Sequence, residues 1–173
     1  MLAVCTETIF ADRDAARRSV ACMKTGQTAP DFELCDQTGA PRRLSALLAD
    51  GPVVLFFYPA AMTPGCTREA CHFRDLAAEF AAVGATRVGI SVDPVPKQAQ
   101  FAEKQGFDYP LLSDPGGTVA AQFGVKRGLL AMLMPVKRTT FVLDTDRTVL
   151  GVISSELNFA AHADKALELL RGR

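Results

Sequence analysis

The 173-residue chain lacks a surplus of either charge: 19 lysines and arginines stand against 19 aspartates and glutamates, and the formal net charge is zero. Phosphate neutralisation on nucleic acid needs a basic excess, and an anionic membrane surface needs a basic patch, so neither partner is expected. Long apolar runs are absent too. The longest, residues 52–62, falls far short of the roughly 20 residues that cross a bilayer. The first twenty residues carry Glu7, Asp12, Arg13 and Asp14 and no apolar stretch of signal-peptide length, so they do not read as a secretory signal. Cysteines are few and odd in number, five in all, whereas a disulfide-stapled secreted fold has them dense and paired. There are two histidines, and although His72 adjoins Cys71, the spacing matches no familiar zinc pattern. No repeat or low-complexity tract interrupts the chain. What is present is ordinary globular stock, 49% apolar and 22% charged. The expectation is a soluble, cytoplasmic, single-domain protein in which any special cysteine is there for chemistry.

Residues 1–22 have sparse apolar positions and read as a mobile N-terminal extension; Met23 opens a domain that runs to residue 173. From Asp31 the pattern alternates to a reversal at residues 36–39, where Gly39 supplies a positive φ. Residues 44–49 read as a short helix with Ser45 as a possible cap. Residues 53–58, Val-Val-Leu-Phe-Phe-Tyr, are apolar without alternation and predict a central strand buried on both faces. A helix follows from Thr63 and Pro64 through Glu69, Phe73, Leu76, Phe80 and Val83, ending at Gly84. Strands at 87–92, 110–112, 139–143 and 149–153 alternate with helices at 96–106, 117–124 and 160–170. The order predicts an α/β fold with a mixed central sheet flanked by helices, compatible with a thioredoxin-like fold. In the closing helix, His162 reads as part of a solvated start.

The chemistry concentrates at residues 59–71. Cys66 stands in the first turn of a helix that follows a buried strand. Free N–H groups and the helix dipole at that end favour a thiolate. The carboxyl end of a central strand is also where open α/β sheets place their sites. Thr63, three residues before Cys66, can face the sulfur across the turn, and Pro59 can shield it.

The segment Pro59-x-x-x-Thr63-Pro64-Gly65-Cys66-Thr67, followed by Glu69-Ala70-Cys71 and Phe73-Arg74-Asp75, resembles the peroxiredoxins. A cysteine five residues after the first marks their Q-type, or bacterioferritin-comigratory-protein, subfamily. Landmarks at residues 26–32, 53–58, 91–93, 112–114 and 138–144 extend the resemblance over all but residues 1–22. The resemblance implies an antioxidant thiol peroxidase with a thioredoxin-like fold and no metal or organic cofactor. In it Cys66 is the peroxidatic nucleophile, Thr63 orients the peroxide, Arg138 stabilises the thiolate, Pro59 shields it and Glu69 orients the arginine. Cys71 resolves the sulfenic acid as an intramolecular disulfide. Thioredoxin or a glutaredoxin-like reductant reopens that disulfide, and the protein is a monomer or weak homodimer. Arg138 is expected to act on chemistry rather than on folding.

Two departures stand out. Ala60-Ala61-Met62 is less polar than the loop often seen there, and residues 128–135 are unusually apolar for a connection, either core packing or a contact patch. Cys35 reads as a structural or exposed thiol, and Cys5 and Cys22 carry no pattern. The competing readings are thioredoxin-type disulfide exchange, which wants two residues between its cysteines where this chain has four, and a non-catalytic redox-sensing module.

Overall fold

A computed structural model describes residues 21–128 and 134–172. The N-terminal extension up to residue 20, including Cys5, and most of the apolar 128–135 stretch lie outside the described residues. A seven-stranded mixed sheet runs β2-β1-β5-β4-β3-β6-β7. Its strands are β1 (Glu33–Cys35), β2 (Pro41–Arg43), β3 (Val53–Phe57), β4 (Thr86–Ser91), β5 (Leu111–Ser113), β6 (Thr139–Leu143) and β7 (Val149–Ser154). The helices are α1 (Leu44–Leu47), α2 (Pro64–Asp75), α3 (Ala77–Ala82), α4 (Val95–Gln105), α5 (Thr118–Gln122) and α6 (Ala160–Arg171).

Strand β3 is buried at all five positions, and its alternation divides the core. Val53, Leu55 and Phe57 enter one apolar layer, covered by Leu44 and Leu48 around α1 and by Val119 and Ala120 of α5. Val54, Phe56 and Tyr58 enter the other, with α2, α3, α4 and α6 above them; Cys66 belongs to this second layer. Side chains that point to opposite faces at successive positions require that a strand with helices on both sides be apolar throughout. β3 pairs parallel with β4 and antiparallel with β6, with Phe57 opposite Thr139. That register sets Arg138 beside the carboxyl end of β3, where α2 begins.

Two local expectations change. The helix after residue 63 does not run unbroken to residue 83: the backbone leaves the α region at Leu76 (φ −95°, ψ 24°) and restarts as α3. Arg87 Nη1 donates to the Phe73 carbonyl at 2.8 Å, giving that carbonyl a partner outside the helix. The apolar row continues across the break, with the Phe73 and Phe80 rings 5.8 Å apart, so periodicity does not reveal it. Ser45 is not a cap. The N-cap of α1 is Arg43, and the amide and hydroxyl of Ser45 both donate to the Asp31 carboxylate at 2.9 Å. Residues 48–50 tighten into a single 3₁₀ turn.

Phe56 is fully buried and its ring stacks on Phe73 at 4.2 Å between centroids. Phe56→Ala is expected to destabilise the protein by about 3–5 kcal/mol, read as a lower urea midpoint with an unchanged slope.

Candidate active site

After β3 the chain keeps one more sheet bond, from the Tyr58 amide to the Ile90 carbonyl at 3.0 Å, and then turns at the buried Pro59. The loop is pinned by the Asp93 carboxylate, which accepts from the Ala61 amide at 2.6 Å and is itself held by Ser91 and Lys97. Met62 takes a left-handed φ of 65°, uncommon for a residue with a branching-free but full side chain, and is 40% exposed. Thr63 is extended and occupies the N-cap of α2, with Pro64 as the first helical residue. Its exposed side chain does not cap: the hydroxyl donates to the Ala60 carbonyl at 3.0 Å.

Cys66 lies in the first turn of α2 and is 1% exposed. One turn further, on the same buried face, Glu69 is fully enclosed. Arg138, 3% exposed, reaches both: Nη1 donates to Glu69 Oε2, and Nη2 donates to Cys66 Sγ at 3.3 Å. The guanidinium also lies over the Phe159 ring, 4.9 Å from its centroid. A Cβ at Gly65 would meet that ring at 2.9 Å and Arg138 Nη2 at 3.4 Å, so glycine is what lets the helix start, the ring and the guanidinium close together. Burial works against the Arg138 charge, but Glu69 and Cys66 beside it outweigh burial and hold its pKa above the usual arginine value. Burial pushes the Glu69 carboxyl up to about 8, against the pull of Arg138. The site therefore sets a lasting positive charge against a sulfur shut off from water. Arg138 is buried against Glu69 rather than standing at the surface, so Arg138→Ala is expected to lower the melting temperature as well as the rate, because removing one partner of a buried pair strands the other.

Cys71 lies on the same helix, five residues beyond Cys66, and is half-buried. Its thiol contacts Gln105 Oε1 at 3.5 Å, and burial raises its pKa, with Arg74 opposing. Both cysteines are free thiols. Cys22 is a half-buried free thiol packed against the first core layer, and Cys35 is buried and disulfide-bonded, so it is not an exposed thiol. His72 turns to the surface and pairs with Asp164 at 2.7 Å. Among the described residues no three metal-ligating side chains converge.

His162 departs furthest from expectation. It is fully buried, not solvated, with Nε2 2.9 Å from the Ser155 carbonyl, Nδ1 2.9 Å from Thr140 Oγ1 and Nδ1 3.5 Å from Glu69 Oε1. The signal was available. Residues 162, 163, 166, 167 and 170 repeat at helical spacing, so His162 shares the inward face of α6. Phe159 and the packing role of Gly65 carried no comparable sequence signal.

The chain matches the AhpC/TSA family over residues 25–152. It is 79% identical to peroxidoxin BcpB from Mycobacterium tuberculosis, whose crystal structure aligns with a TM-score of 0.84, covering 87% of this chain and 97% of that one. Chloroplastic peroxiredoxin Q from Sedum lineare is 42% identical over 146 residues, 84% of this chain and 77% of the relative. The Xanthomonas campestris bacterioferritin comigratory protein, in structures that concern its alkyl peroxide reduction activity, is 32% identical with a TM-score of 0.74, covering 81% and 90% of the two chains. No helix among the described residues is long and apolar enough to cross a membrane. The chain belongs to the AhpC/TSA family and is a peroxiredoxin of the Q, or bacterioferritin-comigratory, type: a thiol-dependent peroxidase built on a thioredoxin-like fold.

Proposed function

We propose that Cys66 is the thiol that reduces peroxide, and the contact that carries this reading is Arg138 Nη2 at 3.3 Å from its buried sulfur. The thiolate attacks the terminal peroxide oxygen. An S–O bond forms, the O–O bond breaks, and the departing alkoxide or hydroxide takes a proton to leave as alcohol or water. Arg138 offsets the negative charge as it passes from sulfur to the leaving oxygen. Glu69 holds the guanidinium in place through Nη1. Pro59 closes the site behind the sulfur. Thr63, exposed at the mouth, exchanges its bond to the Ala60 carbonyl for one to the peroxide. Hydrogen peroxide and organic hydroperoxides both fit this chemistry, and the apolar Ala60-Ala61-Met62 loop favours the bulkier ones.

Cys71 then attacks the sulfenic sulfur, expels water and leaves an intramolecular disulfide, which a thioredoxin or glutaredoxin-like dithiol reduces. The helix opposes that step. Five residues of regular α-helix separate two Cα atoms by roughly 8–9 Å, and the side chains point about 140° apart. A disulfide wants about 4.4–6.8 Å. The first turns of α2 must therefore unwind before Cys71 reaches Cys66. The helix has no side-chain cap, and Gly65 in its first turn weakens it, so opening there breaks few bonds. Residues 23–173 carry this activity in a cytoplasmic monomer or weak homodimer, and residues 1–22 are dispensable to it.

Two experiments test the reading. Cys66→Ser is expected to abolish peroxide consumption in a thioredoxin-coupled assay, while Cys22→Ser retains it; activity surviving in Cys66→Ser would reject the assignment. Hydrogen exchange comparing reduced and disulfide forms should show amides of residues 66–74 losing protection on oxidation. Unchanged protection, in protein shown by mass spectrometry to carry the Cys66–Cys71 bond, would contradict the unwinding step.

A further inference from the structure

The reaction above uses one oxygen of Glu69 and leaves the other unexplained. Oε2 accepts from Arg138, but Oε1 is buried without a hydrogen-bond partner. It faces His162 Nδ1 at 3.5 Å, and neither side chain is exposed to water. The second imidazole nitrogen, Nε2, lies 2.9 Å from the Ser155 carbonyl, an acceptor only, so Nε2 carries a hydrogen. Nδ1 is then the nitrogen whose protonation varies. Thr140 Oγ1, 2.9 Å away, serves either state, since a hydroxyl donates to a bare Nδ1 and accepts from a protonated one.

We propose that Glu69 and His162 share one buried proton behind Arg138, and that His162 is thereby a positioning residue that governs how much of the Arg138 charge is directed at the Cys66 sulfur. This rests on the reading of Cys66 as the reacting thiol. The proton has two homes: on Glu69 Oε1 with a neutral imidazole, or on Nδ1 with an ionised carboxylate. In the first, Arg138 faces a single anion, the sulfur. In the second, the imidazolium takes up part of the carboxylate's charge. Once the proton is lost, Arg138 is divided between two anions, and Oε1 meets the lone pair of Nδ1 with nothing between them.

The surrounding groups set the balance. Glu69 comes from α2, Thr140 from β6 and Arg138 from the residue before it, while Ser155 and Glu156 follow β7 and Lys165 lies on α6 itself. Burial, with Arg138 and Lys165, holds the imidazole below its usual range, opposed by the Ser155 carbonyl and Glu156. Burial with Glu156 pushes the Glu69 carboxyl up, against the pull of Arg138, which brings the two homes closer in energy.

The test is the single-turnover rate of the reduced protein with hydrogen peroxide as a function of pH. The rate should rise as the sulfur loses its proton and fall on the alkaline side as the pair loses its own. His162→Gln keeps a donor for the Ser155 carbonyl but cannot take up a proton. With one home gone, a proton shared about equally should leave the alkaline limb lower in pH by about 0.3 unit, and the rate beyond the limb should drop about twofold. No alkaline limb in the wild type, an unshifted limb in the variant, or a uniform loss at every pH overturns the proposal. A second measurement depends neither on that variant folding nor on Cys66 reacting. Infrared titration of the reduced wild-type protein should show a protonated-carboxyl band that persists at neutral pH and is absent from Glu69→Gln. Loss of that band in the ordinary carboxylate range rejects the shared proton even where Cys66→Ser is inactive, so the two readings fail separately.

Discussion

The site depends on one buried cation. The Arg138 guanidinium, shut away from water, lies between the Glu69 carboxyl group on one side and a sulfur on the other, with an aromatic ring across its face. A lone guanidinium in such a place would be costly; here each N–H that reaches a partner reaches one that can hold negative charge. The cation stabilises the groups around it, and they keep it charged. The same contact lets a buried sulfur carry charge, because charge that water would otherwise solvate is met by a fixed donor.

The fold brings these partners together by register. Glu69 and Cys66 share a face because they are three residues apart on α2. Arg138 arrives from far along the chain because β6 pairs antiparallel with β3 and places Thr139 opposite Phe57. A one-residue slip of β6 would turn Arg138 to the other face of the sheet. β6 is buried at all five positions, and the antiparallel pairing with β7 on its other edge holds it in this register. The start of α6 closes the arrangement from outside with Phe159 and from behind with His162.

Much of this was legible in the sequence. The unbroken apolar run of β3 announced a two-sided strand, and the proline-threonine-cysteine pattern placed Cys66 at a helix start. Gly39 marked the first hairpin, where its φ is 83°. The break at Leu76 was hidden because the apolar row continues through it and its stabiliser, Arg87, lies on another strand. The burial of His162 is less legible, because a histidine near a helix start suggests solvent although its neighbours on α6 point inward. The Thr63 hydroxyl was expected toward the sulfur and bonds the Ala60 carbonyl instead, a choice between two nearby acceptors that spacing cannot decide. Arg138 is legible by resemblance, but its burial against Glu69 follows only from three-dimensional packing.

On the proposed mechanism, a helix that holds Cys66 against a buried cation and also unwinds for Cys71 is caught between two demands. The contacts of Arg138 with Glu69 and Cys66 stabilise the closed site, while the short uncapped start of α2 keeps opening within reach. Glu69 and Arg138 are expected to act on Cys66 as one unit, and a double-mutant cycle on the rate of peroxide reaction, using Glu69→Gln, Arg138→Met and the two combined, measures this. Strong coupling is predicted, on the order of 1–3 kcal/mol, with the double variant hardly slower than Arg138→Met alone. Additive losses would show that the two side chains act independently.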